Sequence, residues 1–146
     1  MGYAMRSEQA RTIVRGIVRQ GSQRGVALGF PTANLAIAGL ALPAGVYSDW
    51  LRRADGEVHA SAISVEQRPA LLARRGVRLV KAHILDFETD IYGEVVIIAL
   101  EARLREERYL PIIDELVAQM EADVVATRLR WEHAKPRAVL PVAPTD

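Results

Sequence analysis

The residues best suited to chemistry lie between positions 16 and 34, where Gly16, Gly21, Gly25 and Gly29 precede Phe30-Pro31-Thr32-Ala33-Asn34. Glycines let backbone amides approach phosphate oxygens closely. A hydroxyl and a carboxamide oxygen two residues apart can also face one hard cation such as Mg²⁺. The stretch is not a P-loop, because the Gly-Lys-Ser/Thr ending is missing, and no Rossmann spacing carries a strand into a helix. From its residues alone it is either a phosphate-facing loop or a glycine-proline turn with a structural use.

Other titratable residues are scattered. Lys81 and His83 share one face of an alternating segment, and a histidine there is more often packed than reactive. Asp123 stands three positions after Met120, beside an apolar helical stripe, as a solvated edge or a ligand contact. His59 and His133 have no partners at metal-ligand spacing, and the absence of cysteine excludes disulfides and thiol chemistry.

The elements that must position these residues read mostly as strands. Thr12–Arg19 is β-branched, with Gly16 marking a bulge or close approach. Val46–Arg52 and Val58–Val65 flank Asp55-Gly56, a hairpin signal, with Tyr47 and Trp50 as packing residues. Val77–Phe87 alternates, with Val80, Ala82 and Ile84 on one face. Glu94–Leu104 alternates again after the Asp90–Gly93 turn, and the two segments are expected to pair antiparallel around it. A helix is expected from about Pro111 to Trp131, with Asp114 and Glu115 near its positive end. Strands followed by a terminal helix predict an antiparallel barrel or sheet under helical cover.

At 146 residues, 50% apolar and 25% charged, the chain suits one compact domain, taken as residues 1–134 with a flexible tail at 135–146. No apolar run approaches the length of a membrane span, so no membrane partner is expected. The first 24 residues lack the apolar centre of an export signal, which makes the cytoplasm the expected compartment. Net charge is +1, but residues 1–24 carry five arginines against Glu8, and residues 84–123 carry eleven acids against three arginines. A nucleic-acid partner is not expected, since aromatic content is only 5% and surface aromatics are not interleaved with the basic residues.

Ordered landmarks then add a resemblance: Gly29-Phe30-Pro31-Thr32-Ala33-Asn34-Leu35, Leu42-Pro43-Ala44-Gly45-Val46-Tyr47, His83-Ile84-Leu85-Asp86-Phe87, Asp90-Ile91-Tyr92-Gly93, Leu104-Arg105, and Leu116, Met120 and Asp123. Together, over roughly residues 12–130, they resemble the riboflavin kinase (flavokinase) family. The resemblance implies a mainly β fold, an antiparallel Greek-key barrel with a C-terminal helix. The implied activity is transfer of the ATP γ-phosphate to the riboflavin 5′-hydroxyl, giving FMN. It implies Mg²⁺ at Thr32 and Asn34, with Asn34 also counted as catalytic. Nucleotide contacts are implied at Gly21, Arg24, Gly25, Gly29, Thr32 and Asn34, and flavin contacts at Arg105, Tyr109, Met120 and Asp123. FAD synthesis is not expected, because the adenylyltransferase domain of many bacterial relatives is not in this sequence.

The sequence departs from the family pattern at three places. Val26 follows Gly25 where the family has an Arg, and Ala70 follows Arg68-Pro69 where it has a Thr. Lys81 occupies the position of the family's catalytic-base Glu, and an ammonium cannot accept a proton. Lys81 could neutralise phosphate charge instead, with Glu66 as a substitute carboxylate. A general base contributes about 10²–10⁴-fold, so its loss slows phosphoryl transfer without abolishing it. The alternative is a kinase-derived domain that binds flavin or nucleotide with little turnover, or serves another reaction.

Overall fold

The structure, a computed structural model, describes residues 2–6, 12–21, 29–67 and 76–133. It contains β1 (Gly2–Arg6), β2 (Thr12–Ile17), β3 (Ala33–Ala38), β4 (Gly45–Arg52), β5 (Val58–Val65), β6 (Val77–Ile84), β7 (Val95–Leu100), β8 (Arg103–Arg105) and α1 (Ile113–His133). Hydrogen-bonded neighbours run β5-β6-β3-β1-β2-β7-β4, and β4 pairs back onto β5, so seven strands close a barrel. β8 continues along the β4 edge that β7 leaves. The expected tail at 135–146 lies outside the described residues.

Alternation sorts each strand into two cores. Val14, Leu35, Ile37, Tyr47, Leu51, Ile63, Val80 and Ile98 point into the barrel and are buried there. Ile13, Trp50, Ile97 and Ala99 point outward, into a second cluster joined by Val58 and by Trp131 of α1. Each such aliphatic or aromatic side chain contributes about 1.5–3 kcal/mol on burial, so the helix docks on strands that are apolar on both faces.

The barrel is not wholly antiparallel. β1 lies parallel to β3, with Gly2 beside Ile37 and Tyr3 beside Ala38. A closed ring of seven strands cannot alternate direction all the way round, so at least one parallel neighbour is a geometric necessity. The expected pairing of segments 77–87 and 94–104 also fails: β6 pairs with β3 and β5, whereas β7 pairs with β2 and β4. Gly93 N donates to Val18 O and Val18 N donates to Glu94 O, which draws the intervening turn to the end of β2 rather than back along β6.

Candidate active site

Three adjacent strands set one polar row on the outer face of the barrel. Asn34 of β3 is in register with Lys81 of β6, and Lys81 is in register with Ser64 of β5. Their chain neighbours Ala33, Leu35, Val80 and Ala82 are buried inside, so the strand period leaves these three facing outward. Asn34 Nδ2 donates to Thr32 O at 3.2 Å, which turns the carboxamide oxygen away from that carbonyl. The Asn34 main-chain oxygen accepts from Arg19 N at 2.7 Å, so the chain leaving β2 lies against the start of β3. A Cβ on Gly21 would overlap the Asn34 carboxamide, and only glycine permits this approach.

Beside Asn34 a cavity of 390 Å³ opens, lined by Arg19, Gln20, Gly21, Thr32 and Asn34, by Ala82 and Ile84 of β6, and by Phe87 and the Glu88–Tyr92 turn. Its volume falls within the range of small-molecule sites. Lys81 is not among its lining residues, so Asn34 stands at the boundary between the cavity and the outer row.

On the far side of Lys81 lies Glu66, with Lys81 Nζ at 2.8 Å from Glu66 Oε1. The main chain of Glu66 is fixed on both sides: its N–H donates to Leu79 O at 3.1 Å, and its carbonyl accepts from Arg78 Nε and Nη2 at 3.3 and 3.0 Å. Arg78 is buried and also donates to Leu40 O and Leu42 O, tying three chain segments together. Buried guanidinium donors satisfied by several carbonyls give a rigid mount.

The helix side is held by a second ion pair. Arg105 of β8 meets Asp123 of α1 through two contacts of 2.8 Å, and Gln119 Nε2 donates to Asp123 Oδ1 at 3.1 Å. Met120 is half-buried on the same helix, whereas Tyr109 is 89% exposed and stands apart from that cluster. An open groove of 910 Å³ separates α1 from the end of β6, lined by Gly29, Phe30, Pro31, His83, Val124, Val125 and Arg128 among others. His83 Nδ1 donates to Pro31 O at 2.9 Å and meets the Phe30 ring edge-on at 5.5 Å, a structural use of the imidazole. The Arg128 guanidinium holds the Asp86 carboxyl below the usual carboxylate range.

Of the residues singled out in the sequence, Gly21, Thr32 and Asn34 come together at the cavity, while Gly29 lies in the second groove. Arg24, Gly25, Val26, Arg68, Pro69 and Ala70 lie outside the described residues. Sequence reasoning missed Arg19, Gln20 and Tyr92 as cavity residues, because the Asp90–Gly93 segment reads only as a turn until it is placed against the end of β2. It also missed buried Arg78, which looks like one more surface arginine in an arginine-rich stretch.

A family model described as Flavokinase, riboflavin kinase, matches residues 9–130. The chain belongs to the riboflavin kinase family. It is 30% identical to the riboflavin kinase of Homo sapiens over 126 residues, covering 82% of this chain and 77% of that protein. Similarity to the bifunctional riboflavin kinase/FMN adenylyltransferase of Haemophilus influenzae is 33% over 110 residues, covering 75% of this chain but only 35% of that protein. The crystal structure of riboflavin kinase from Trypanosoma brucei shares the fold, with a TM-score of 0.60 at 23% identity, over 92% of this chain and 90% of that one. In this riboflavin kinase family member, the Pro31–Asn34 element forms the shared edge of the cavity and the Lys81 row.

Proposed function

We propose that this chain transfers the γ-phosphoryl group of Mg-ATP to the 5′-hydroxyl of riboflavin, giving FMN and ADP. The observation that carries this reading is the position of Asn34, with one side on the cavity and the other on the Lys81–Glu66 row. Phosphoryl transfer rests mainly on positioning and charge neutralisation, and the two sides of Asn34 supply separate places for donor and acceptor.

In this reading the nucleotide occupies the cavity, with Gly21 and Thr32 at its phosphates and Arg24, Gly25 and Gly29 assigned as further nucleotide contacts. The residues present fit Mg²⁺. The Asn34 carboxamide oxygen is turned away from Thr32 O, and the Thr32 hydroxyl makes no hydrogen bond to another described residue. Among the described residues no group of three or more His, Asp or Glu is placed to hold a metal, so two neutral oxygens suit a cation whose other ligands are phosphate oxygens. When bound, Mg²⁺ would neutralise charge on the phosphates. Lys81 supplies further positive charge to the transferred group.

Arg105, Tyr109, Met120 and Asp123 are assigned to the flavin. Donors left on Arg105 and the thioether of Met120 suit a ring with one polar and one apolar edge. The unit is a single barrel domain over residues 1–134, acting in the cytoplasm on small molecules. Among the described residues no helix is long and apolar enough to cross a membrane. Incubation with riboflavin, ATP and Mg²⁺ should yield FMN and ADP in equal amounts. Binding of both ligands with no FMN would favour the alternative of a kinase-derived binding domain.

A further inference from the structure

Transfer to an alcohol requires that a proton leave the attacking oxygen, and the described carboxylates differ in their freedom to take it. Glu88 and Asp90 line the nucleotide cavity itself, on the donor side of Asn34. Asp86 is held by both terminal nitrogens of Arg128, and Asp123 by Arg105 and Gln119. Glu66 is held through one oxygen only: Lys81 Nζ lies 2.8 Å from Oε1, and Oε2 makes no hydrogen bond to another described residue. Lys81 meets the Glu66 carboxylate and the Arg78 guanidinium the Glu66 carbonyl, and the Glu107 carboxylate lies close by, accepting from Gln67 N at 3.1 Å.

The roughly in-line geometry of phosphoryl transfer then selects a side. A nucleotide in the cavity presents its γ-phosphorus toward Asn34, so the attacking hydroxyl must come from the opposite side of that group. Lys81 stands next to Asn34 across the β3–β6 pairing and Glu66 beyond it, both outside the lining of the cavity, and they are the groups assigned to that side.

We propose that Glu66, on the strand-end neighbouring β6, is the catalytic base of this chain, with Arg78 as a positioning residue and Lys81 as the cation that holds Oε1 before it meets the phosphate. This rests on the phosphotransfer reading above. The riboflavin 5′-oxygen forms the new bond to the γ-phosphorus. The bond from that phosphorus to the β–γ bridging oxygen breaks, and ADP keeps the electron pair. The hydroxyl proton passes to Glu66 Oε2 and then to solvent. As Glu66 is neutralised, the Lys81 ammonium loses its anionic partner and turns to the new phosphate.

The test compares wild type, Glu66→Gln and Glu66→Asp for FMN formation across pH, with riboflavin affinity read by flavin fluorescence and Mg-ADP affinity by calorimetry. Glu66→Gln is expected to lower kcat by about 10²–10⁴-fold. It should also remove the acidic limb of the kcat profile and leave both affinities unchanged, while Glu66→Asp recovers part of the rate and the limb. Wild-type turnover with kcat and pH profile kept in Glu66→Gln overturns the base assignment and leaves the kinase reading standing. Loss confined to riboflavin or Mg-ADP affinity makes Glu66 a binding residue and likewise overturns it. Absence of FMN from wild type overturns both readings together.

Discussion

Two ion pairs on the barrel's outer face put the same chemical types to different structural use. Asp123 is buried at 8% exposure, held by two guanidinium nitrogens and a carboxamide, and its partner Arg105 belongs to the strand beside β4. Glu66 and Lys81 meet through one contact and keep about a quarter to a third of their side chains exposed, at 26% and 32%. The first pair is a tie between β8 and the helix, with both oxygens of its carboxylate engaged. The second has a rigid backbone mount and a loosely engaged carboxylate, the combination a proton-transfer group needs.

The largest stability effect should come from Asp123→Ala, which leaves the Arg105 guanidinium without its carboxylate. A loss of about 3–5 kcal/mol is expected, read from urea unfolding. Glu66→Ala in the same experiment should cost about 0–1 kcal/mol, the range of an exposed pair. Equal losses would make Glu66 a structural clamp and erase the contrast.

Next in size is Asn34→Ala. It should weaken Mg-ADP binding by about 10–100-fold, or about 1.4–2.8 kcal/mol, with riboflavin affinity unchanged. Calorimetry showing nucleotide affinity intact would remove Asn34 from the site.

A third carboxylate extends the comparison to one held chiefly by amides. Asp49 Oδ2 accepts from Glu101 N at 2.9 Å and Ala102 N at 3.4 Å, and burial pushes its pKa up to about 6. The folded state therefore holds this proton more tightly than the unfolded chain. Asp49's contribution to stability falls as pH rises from about 4 to about 6 and stays lost above that. Asp49→Asn keeps an acceptor and removes the ionisation, so a gain of about 1–2 kcal/mol is expected at pH 7, vanishing near pH 4. A pH-independent difference in unfolding midpoints would contradict this account.

Local signals were legible where local chemistry decides. Asp55-Gly56 does turn β4 into β5, and β5 spans Val58–Val65 as the expected second arm of that hairpin. The alternation of Val80, Ala82 and Ile84 against Lys81 and His83 also holds. Other boundaries move for identifiable reasons. β6 stops at Ile84, shortly before Asp86 takes a positive φ of 54°. The segment read as Glu94–Leu104 is broken at Glu101-Ala102, whose amides turn to the Asp49 carboxylate. The alanine-rich β3 has little strand propensity and is imposed by its pairing with β6, a tertiary effect that no local pattern carries. The same limit applies to the site. Thr32 and Asn34 stand out by their spacing as candidates and Glu66 as a substitute carboxylate, but the contact of Glu66 with Lys81 depends on how β5 and β6 come together.

The seam between β2 and β7 joins residues 12–17 to residues 95–100. Loop closure over such a sequence span is entropically slow, and barrels dominated by non-local pairing fold in roughly milliseconds to seconds. Arg19–Gly21 leave one side of that seam and Asp90–Tyr92 lead into the other, so the cavity exists only once the seam has zipped. A nucleotide that binds there has no affinity for chains whose seam is open, and mass action makes it a latch on the most entropically demanding closure of the ring. On the nucleotide reading of the cavity, nucleotide concentration becomes one of the quantities that set how far this barrel's equilibrium lies toward closure.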